Sequence, residues 1–296
     1  MISNPLKAGT KFPGSIITII LIVFSLTASI KAQDTSIANL QDTTYSFWSR
    51  HNLAKASVIG LGGGILLYGY AVWWKHDYRS FRWYEEGRGV FDAHLGIDKV
   101  GHAYTSYFLF HTMNDILEWG DYPKEDAFWW AAGIAAFHAL AIETGDGFSD
   151  WGFDPKDLAS NWSGVAYGML QEKVPFFKNF QFKWSLYYPL NRHAFKVNDL
   201  YDYHIYLMSA KVHELLPETL KPYWPKFLQL GVGYSGADNV TRREYILTFD
   251  YDLELIPTKG KDLSLLKSIL NMFHLPAPGV KFSPGHKPEF QLLLLN

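Results

Sequence analysis

Between Lys55 and Lys75 the chain runs through residues 56–74 without a charge. A stretch of that length and polarity has few folded options. It satisfies its backbone hydrogen bonds internally as a helix, and it hides its side chains in hydrocarbon or in protein. The flanking lysines and the terminal Tyr70, Trp73 and Trp74 suit a membrane-inserted helix, whose interfacial ends favour basic and aromatic residues. Gly60 and Gly64 form a small-xxx-small face for close helix packing. A buried helix of a soluble bundle is the alternative. The glycines do not form a phosphate-binding loop, since no Gly-Lys-Ser/Thr follows them.

A second apolar run precedes it. Lys7 and Lys11 are followed by an uncharged segment over 16–30, with Ala32 ahead of Gln33. That run is short for a spanning helix and has the layout of an export signal, expected over residues 1–32. An uncleaved N-terminal anchor is the alternative. Either reading places the mature chain in the cell envelope, on the periplasmic side of the inner or outer membrane. A polar linker is expected over 33–52.

Composition removes several function classes. Apolar residues make up 48% and charged residues 19%, which excludes a disordered chain. Lysine and arginine total 27 against 29 acidic residues, so no basic surface for nucleic acid is expected. The absence of cysteine excludes disulfides, thiolate metal sites, a thiol nucleophile and a lipid-modified cysteine.

The fold class expected is α+β. A membrane-associated bundle of about four helices occupies 53–175, and a small β-rich region occupies 176–296. Further helices are expected near 98–119, 124–143 and 156–172, the last opening just after Pro155. About five strands follow, including 182–188, 227–234, 244–255 and 289–295, with a short helix over 263–273. The 244–255 segment alternates: Tyr245, Leu247, Phe249, Tyr251 and Leu253 share one face, and Ile246, Thr248, Asp250, Asp252 and Glu254 the other. The polar face is expected to be solvated. The strands either pack on the bundle or rest at a membrane surface.

Polar residues punctuate the apolar helices in pairs. Asp98 and His102 are spaced i, i+4, Glu143 and Asp146 i, i+3, and Asp157 and Asn161 i, i+4, so each pair shares a helical face. Burying carboxylates costs several kcal/mol unless they are paired or metal-bound. Three chemistries stay open if the pairs converge. One is a divalent metal ion held by His102, Glu143 and Asp146. Another is acid–base catalysis by His102 with Asp98, Glu143, Asp157 and Asn161. The third is a hydrogen-bond network that pins the bundle. His111 and His138 fall on other faces and read as packing residues. Trp129, Trp130, Trp151 and Trp162 read as aromatic packing at helix ends, with a lipid groove as the alternative. Neither an H-E-x-x-H nor a G-x-S-x-G motif occurs.

The order Asp98-Lys99-x-x-His102, then Glu143 with Asp146-Gly147-Phe148-Ser149, then Asp157-x-x-x-Asn161-x-x-Gly164, resembles the YfiM-type predicted periplasmic proteins, in the longer form found in Bacteroidota. It also resembles the motif order of VanZ-like membrane proteins. The resemblance covers about 60–173 and implies a shared site without supplying a reaction. This chain has no cysteine to lipidate, and it lacks the arginine that the VanZ-like pattern carries after the glutamate.

The sequence is read as an exported envelope protein of structural or accessory role. The alternative is a membrane-embedded, metal-dependent enzyme. Its partner would be a membrane lipid or lipid-linked envelope molecule. Other envelope proteins are further candidate partners.

Overall fold

The computed structural model describes residues 48–84, 93–186, 201–238 and 240–294. The expected export signal and residues 33–47 of the expected linker lie outside them. The chain is mixed helix and sheet, with a C-terminal antiparallel sheet.

Helix α1, Arg50–Gly69, opens on a Ser49 side chain that accepts from Asn52 N at 3.3 Å. It runs on through one wider turn, Tyr70–Trp74. Three more long helices follow: α2 Ile97–Trp119, α3 Lys124–Gly147 and α4 Pro155–Lys173. Asp154 caps α4 by accepting from Lys156 N at 2.8 Å, and Pro155 takes a first-turn position that needs no N–H partner. Helix α2 packs against each of the other three. Its buried face, with Phe110, Met113 and Ile116, meets Ala127 and Ala131 of α3 in one core. A Cβ on Gly164 of α4 would lie 1.9 Å from the Ala103 carbonyl oxygen. The backbones of α2 and α4 therefore touch, and only glycine permits it.

Helix α1 is the one described helix long and apolar enough to cross a membrane, and only 11% of its apolar window is buried inside the protein. Trp129, Trp130, Trp151 and Trp162 are also exposed instead of packed at helix ends.

The sheet is a meander in chain order: β1 Phe180–Leu186, β2 His204–Ala210, β3 Leu228–Ala237, β4 Arg242–Tyr251, β5 Gly279–Phe282 and β6 Glu289–Gln291. Short helix α5, Val212–Leu215, lies between β2 and β3, and α6, Lys261–Asn271, between β4 and β5. Strands β2 and β5 were not among the expected segments. Strand β2 is buried along most of its length, so it lacks the alternation that marks a half-buried strand. Strand β4 stops at Tyr251 because Asp252 accepts from Glu254 N at 3.1 Å and turns the chain.

The faces of the sheet reverse the expectation. Cross-strand partners point to the same face, so the register defines two rows. One joins Phe182, Met208, Val232, Leu247, Val280 and Phe290, and the other Trp184, Tyr206, Tyr234, Tyr245 and Phe282. This apolar face meets α2 at β1 and β2, where Tyr104 packs on Phe182, Trp184 and Tyr206. Beyond β2 it is open: Val232, Tyr245, Leu247, Phe249, Phe282 and Phe290 are exposed. The expected solvated face is the buried one. Asp250 meets Lys183 at 2.9 Å and His274 Nδ1 at 3.0 Å, and Ser209 donates to it at 2.5 Å. Glu244 pairs with Lys281 at 3.2 Å, and Asp252 with Lys211 at 3.0 Å. Each buried carboxylate has a cation, which offsets its desolvation.

Candidate functional site: a His–carboxylate cluster between α2, α3 and α4

Helical spacing turns Asp98 and His102 of α2 toward α4, and the Gly164 contact holds the two helices close enough for their side chains to meet. His102 Nε2 lies 3.6 Å from Asp98 Oδ1 and 3.6 Å from Asp157 Oδ2. Its other nitrogen, Nδ1, lies 3.7 Å from Glu143 Oε1, which α3 contributes. Asn161 Nδ2 is 3.2 Å from both that glutamate oxygen and His102 Nδ1. Ser106 donates to Asn161 Oδ1 at 2.8 Å and fixes which end of the amide faces the histidine. Five of the six residues singled out from sequence, Asp98, His102, Glu143, Asp157 and Asn161, therefore meet around one imidazole. The sixth, Asp146, accepts from Trp74 Nε1 of the α1 extension at 2.7 Å. His111 lies elsewhere on α2, against Gln171 at 2.9 Å.

Lys99 completes the cluster. Its ammonium is 3.2 Å from Asp98 Oδ2, 2.8 Å from Asp154 Oδ2 and 2.6 Å from Asp157 Oδ1. Burial disfavours its charge, but hydrogen bonds to Asp154 and Asp157 and the nearby carboxylates outweigh that and keep it protonated. Tyr201, from the turn leading into β2, donates to Asp98 Oδ1 at 2.6 Å.

Electrostatics divides the carboxyl groups. Burial pushes Glu143 up to about 8 and Asp157 up to about 6, with His102 opposing in both. Asp98 goes the other way: burial resists its ionisation, but His102, Lys99 and Tyr201 hold it below the usual carboxylate range. His102 is raised, because Asp98, Asp157 and Glu143 outweigh the burial that disfavours its charge. Glu143 Oε2 is buried and has no hydrogen-bond partner. Glu143 Oε1 accepts from Asn161 in either protonation state.

Sequence reasoning did not assign Lys99, Asp154, Ser106 or Tyr201 to the cluster. Lys99 stands beside Asp98 and reads as a solvated charge. Asp154 precedes Pro155 and reads as a helix cap, which it also is. Ser106 falls one turn after His102 on the same face, so the helical period carries a signal for it. Tyr201 carries no local signal.

Asp98, His102 and Asp157 each offer one atom to a metal ion, and the three atoms lie within 4.8 Å of one another. Tetrahedral coordination at about 2.1 Å spaces ligand atoms by about 3.4 Å, close to the 3.6 Å from His102 Nε2 to each aspartate. Of the expected metal ligands, His102 belongs to this set, and Glu143 and Asp146 lie outside it.

A family model described as "Predicted periplasmic lipoprotein (DUF2279)" matches residues 83–173. The matched segment contains α2, α3 and α4, and every residue of the cluster except Tyr201. No curated protein and no solved structure matches the chain. The family description supports an envelope or periplasmic location and leaves the activity unassigned.

Proposed function

We propose that this is an exported, membrane-associated envelope protein whose helical bundle holds a divalent-cation centre for hydrolytic chemistry on a membrane lipid or lipid-linked envelope molecule. The carrying observation is that His102 Nε2, Asp98 Oδ1 and Asp157 Oδ2 face one another at ligand spacing. Charge supports it. Three carboxylates, Asp98, Asp154 and Asp157, surround one ammonium, that of Lys99, and a dication beside a neutral His102 closes the balance. With Nε2 given to the ion, Nδ1 would face the Asn161 amide nitrogen at 3.2 Å and Glu143 Oε1 at 3.7 Å, the groups that orient the ring. A dication there supplies Lewis acidity and an activated water. Burial pushes Glu143 up to about 8, so it would hold a proton near neutral pH beside His102 Nδ1, 3.7 Å away. The membrane assignment rests on the exposed apolar length of α1 and on the open apolar rows of the sheet.

One observation favours a second reading, a purely structural network: Lys99 already binds three carboxylates, as a bundle-pinning cation does. Metal content of the full-length, detergent-extracted protein separates the two. Stoichiometric metal that both His102→Ala and Asp157→Ala lose, at matched folding, supports the centre. No metal, with a large stability loss in both variants, leaves only the network.

A further inference from the structure

We infer that Tyr201 is a positioning residue of the cluster, so that the C-terminal sheet completes a centre whose other groups all come from the helices. The inference rests on the dication reading above. The Tyr201 hydroxyl donates to Asp98 Oδ1 at 2.6 Å, the length of a charge-assisted O–H···O bond. That oxygen is also the one facing His102 Nε2 at 3.6 Å. A carboxylate oxygen has two lone-pair directions. The phenol occupies one and leaves the other aimed at the space between His102 and Asp157. Without the phenol, Lys99 on the far oxygen is the one hydrogen-bond donor left to Asp98 among the described residues, and the oxygen facing His102 loses its restraint on the terminal torsion.

The tyrosine is itself held. Its ring packs on His94 at 4.8 Å and on His204 at 6.0 Å, and the adjacent Asp202 accepts from Val240 N at 2.7 Å. Two more tyrosine hydroxyls reach the same end of α2 from the sheet. Tyr234 donates to Leu95 O at 2.5 Å, fixing a turn in which His94 and Leu95 both have positive φ. Tyr206 OH, hydrogen-bonded to His204 at 3.0 Å, rests where a Cβ on Gly101 would come within 2.7 Å. The sheet thus grips the first turn of α2, where Asp98 sits. A structural prop would need only the last two contacts; the Tyr201 bond goes to the ligand oxygen itself.

The test is a Co²⁺ titration of the full-length protein in detergent, read by affinity and by the visible absorption of bound Co²⁺. Tyr201→Phe is compared with wild type and with Tyr223→Phe, an exposed control. Loss of an outer-shell partner is expected to weaken binding about 10-fold or more. It should also shift the Co²⁺ spectrum while the melting temperature of the metal-free protein stays close to wild type. Should Tyr201→Phe fail to fold, Tyr201→Leu, which likewise offers no donor to Asp98, is titrated in its place and read the same way. Wild-type affinity and spectrum in the variant would overturn the role of Tyr201 and leave the dication reading standing. A wild-type protein that takes up no Co²⁺ would overturn both.

Discussion

Two buried clusters in this molecule use the same ingredients, and they are built to different standards. Both join lysine, histidine and aspartate. Inside the sheet, both oxygens of Asp250 are taken, one by His274 and the other by Lys183 and Ser209, and Lys183 and Asp250 are 0% and 1% exposed. Between the helices, the side chains of His102 and Asp157 are 24% and 14% exposed; each cluster leaves a buried atom without a hydrogen-bond partner among the described residues, Glu143 Oε2 here and His274 Nε2 in the sheet, so exposure is what separates them. Ionisation divides them in part. The partners of Asp250 overcome its burial and hold it below the usual range, as those of Asp98 do between the helices, whereas burial drives Glu143 and Asp157 above it. A closed network has stability as its consequence. A partly open one is costly as scaffold and is what a ligand-binding site requires.

The largest expected effect tests the closed side. Asp250→Ala strands Lys183 in an interior with no other carboxylate on its ammonium among the described contacts, which costs about 3–5 kcal/mol. Denaturant unfolding in detergent should show Asp157→Ala costing less than half as much. Equal losses would erase the distinction between the clusters.

Next in size is Gly164→Ala. Its Cβ would collide with the Ala103 carbonyl and force α2 from α4, at about 1–3 kcal/mol. The bundle cluster should come apart first. Amide exchange would then accelerate along α2 and α4 while β1 to β4 keep their protection. Uniform loss of protection would mean that the two regions unfold as one unit.

Titration separates Glu143 from Asp250 by sign. Glu143 has a folded pKa raised to about 8, so the folded state binds the proton more tightly than the unfolded state does. Its stability contribution is full below the unfolded value near 4.5 and is lost as pH rises through 8. Asp250, held low, contributes above the unfolded value and loses that contribution as acid passes below it. Glu143→Gln should therefore gain stability over wild type at pH 8 and gain nothing at pH 5. A gain of the same size at both pH values would show that burial does not control this carboxyl.

The two regions also differ in how far the sequence discloses them. Asp98 with His102, and Asp157 with Asn161, are legible as shared helical faces because a 3.6-residue period fixes direction relative to the apolar stripe. That the faces converge is not legible, since it depends on Gly164 touching a carbonyl 61 positions away. In the sheet, the alternation of β4 is plain, but period two only separates faces and does not say which one meets protein. The deciding residue, Lys183, reads as one stray charge in an aromatic strand until its partner Asp250 is placed beside it. The alternation of residues 244–251 thus yields a strand correctly and its orientation in reverse.

That reversal sets up the smallest effect on stability. Val232, Leu247 and Phe290 lie in one row on the open face and are exposed, so they contribute little to the core. Replacing all three with serine should change unfolding free energy by about 0.5 kcal/mol or less per site in detergent. If the face rests on lipid, the same variant should lose much of its association with phosphatidylethanolamine–phosphatidylglycerol vesicles, because each buried apolar side chain is worth about 1.5–3 kcal/mol. Flotation of wild type and variant on a density gradient reads this directly. A variant that floats like wild type would leave α1 as the membrane contact among the described elements and return the inverted sheet to the solvent. A variant that unfolds would show instead that the row is covered by protein. The sheet is the sharper half of the comparison here. Its interior is sealed by ion pairs and its apolar rows pack on α2 only at β1 and β2, so the exposed Val232, Leu247 and Phe290 are where the orientation of the sheet is read.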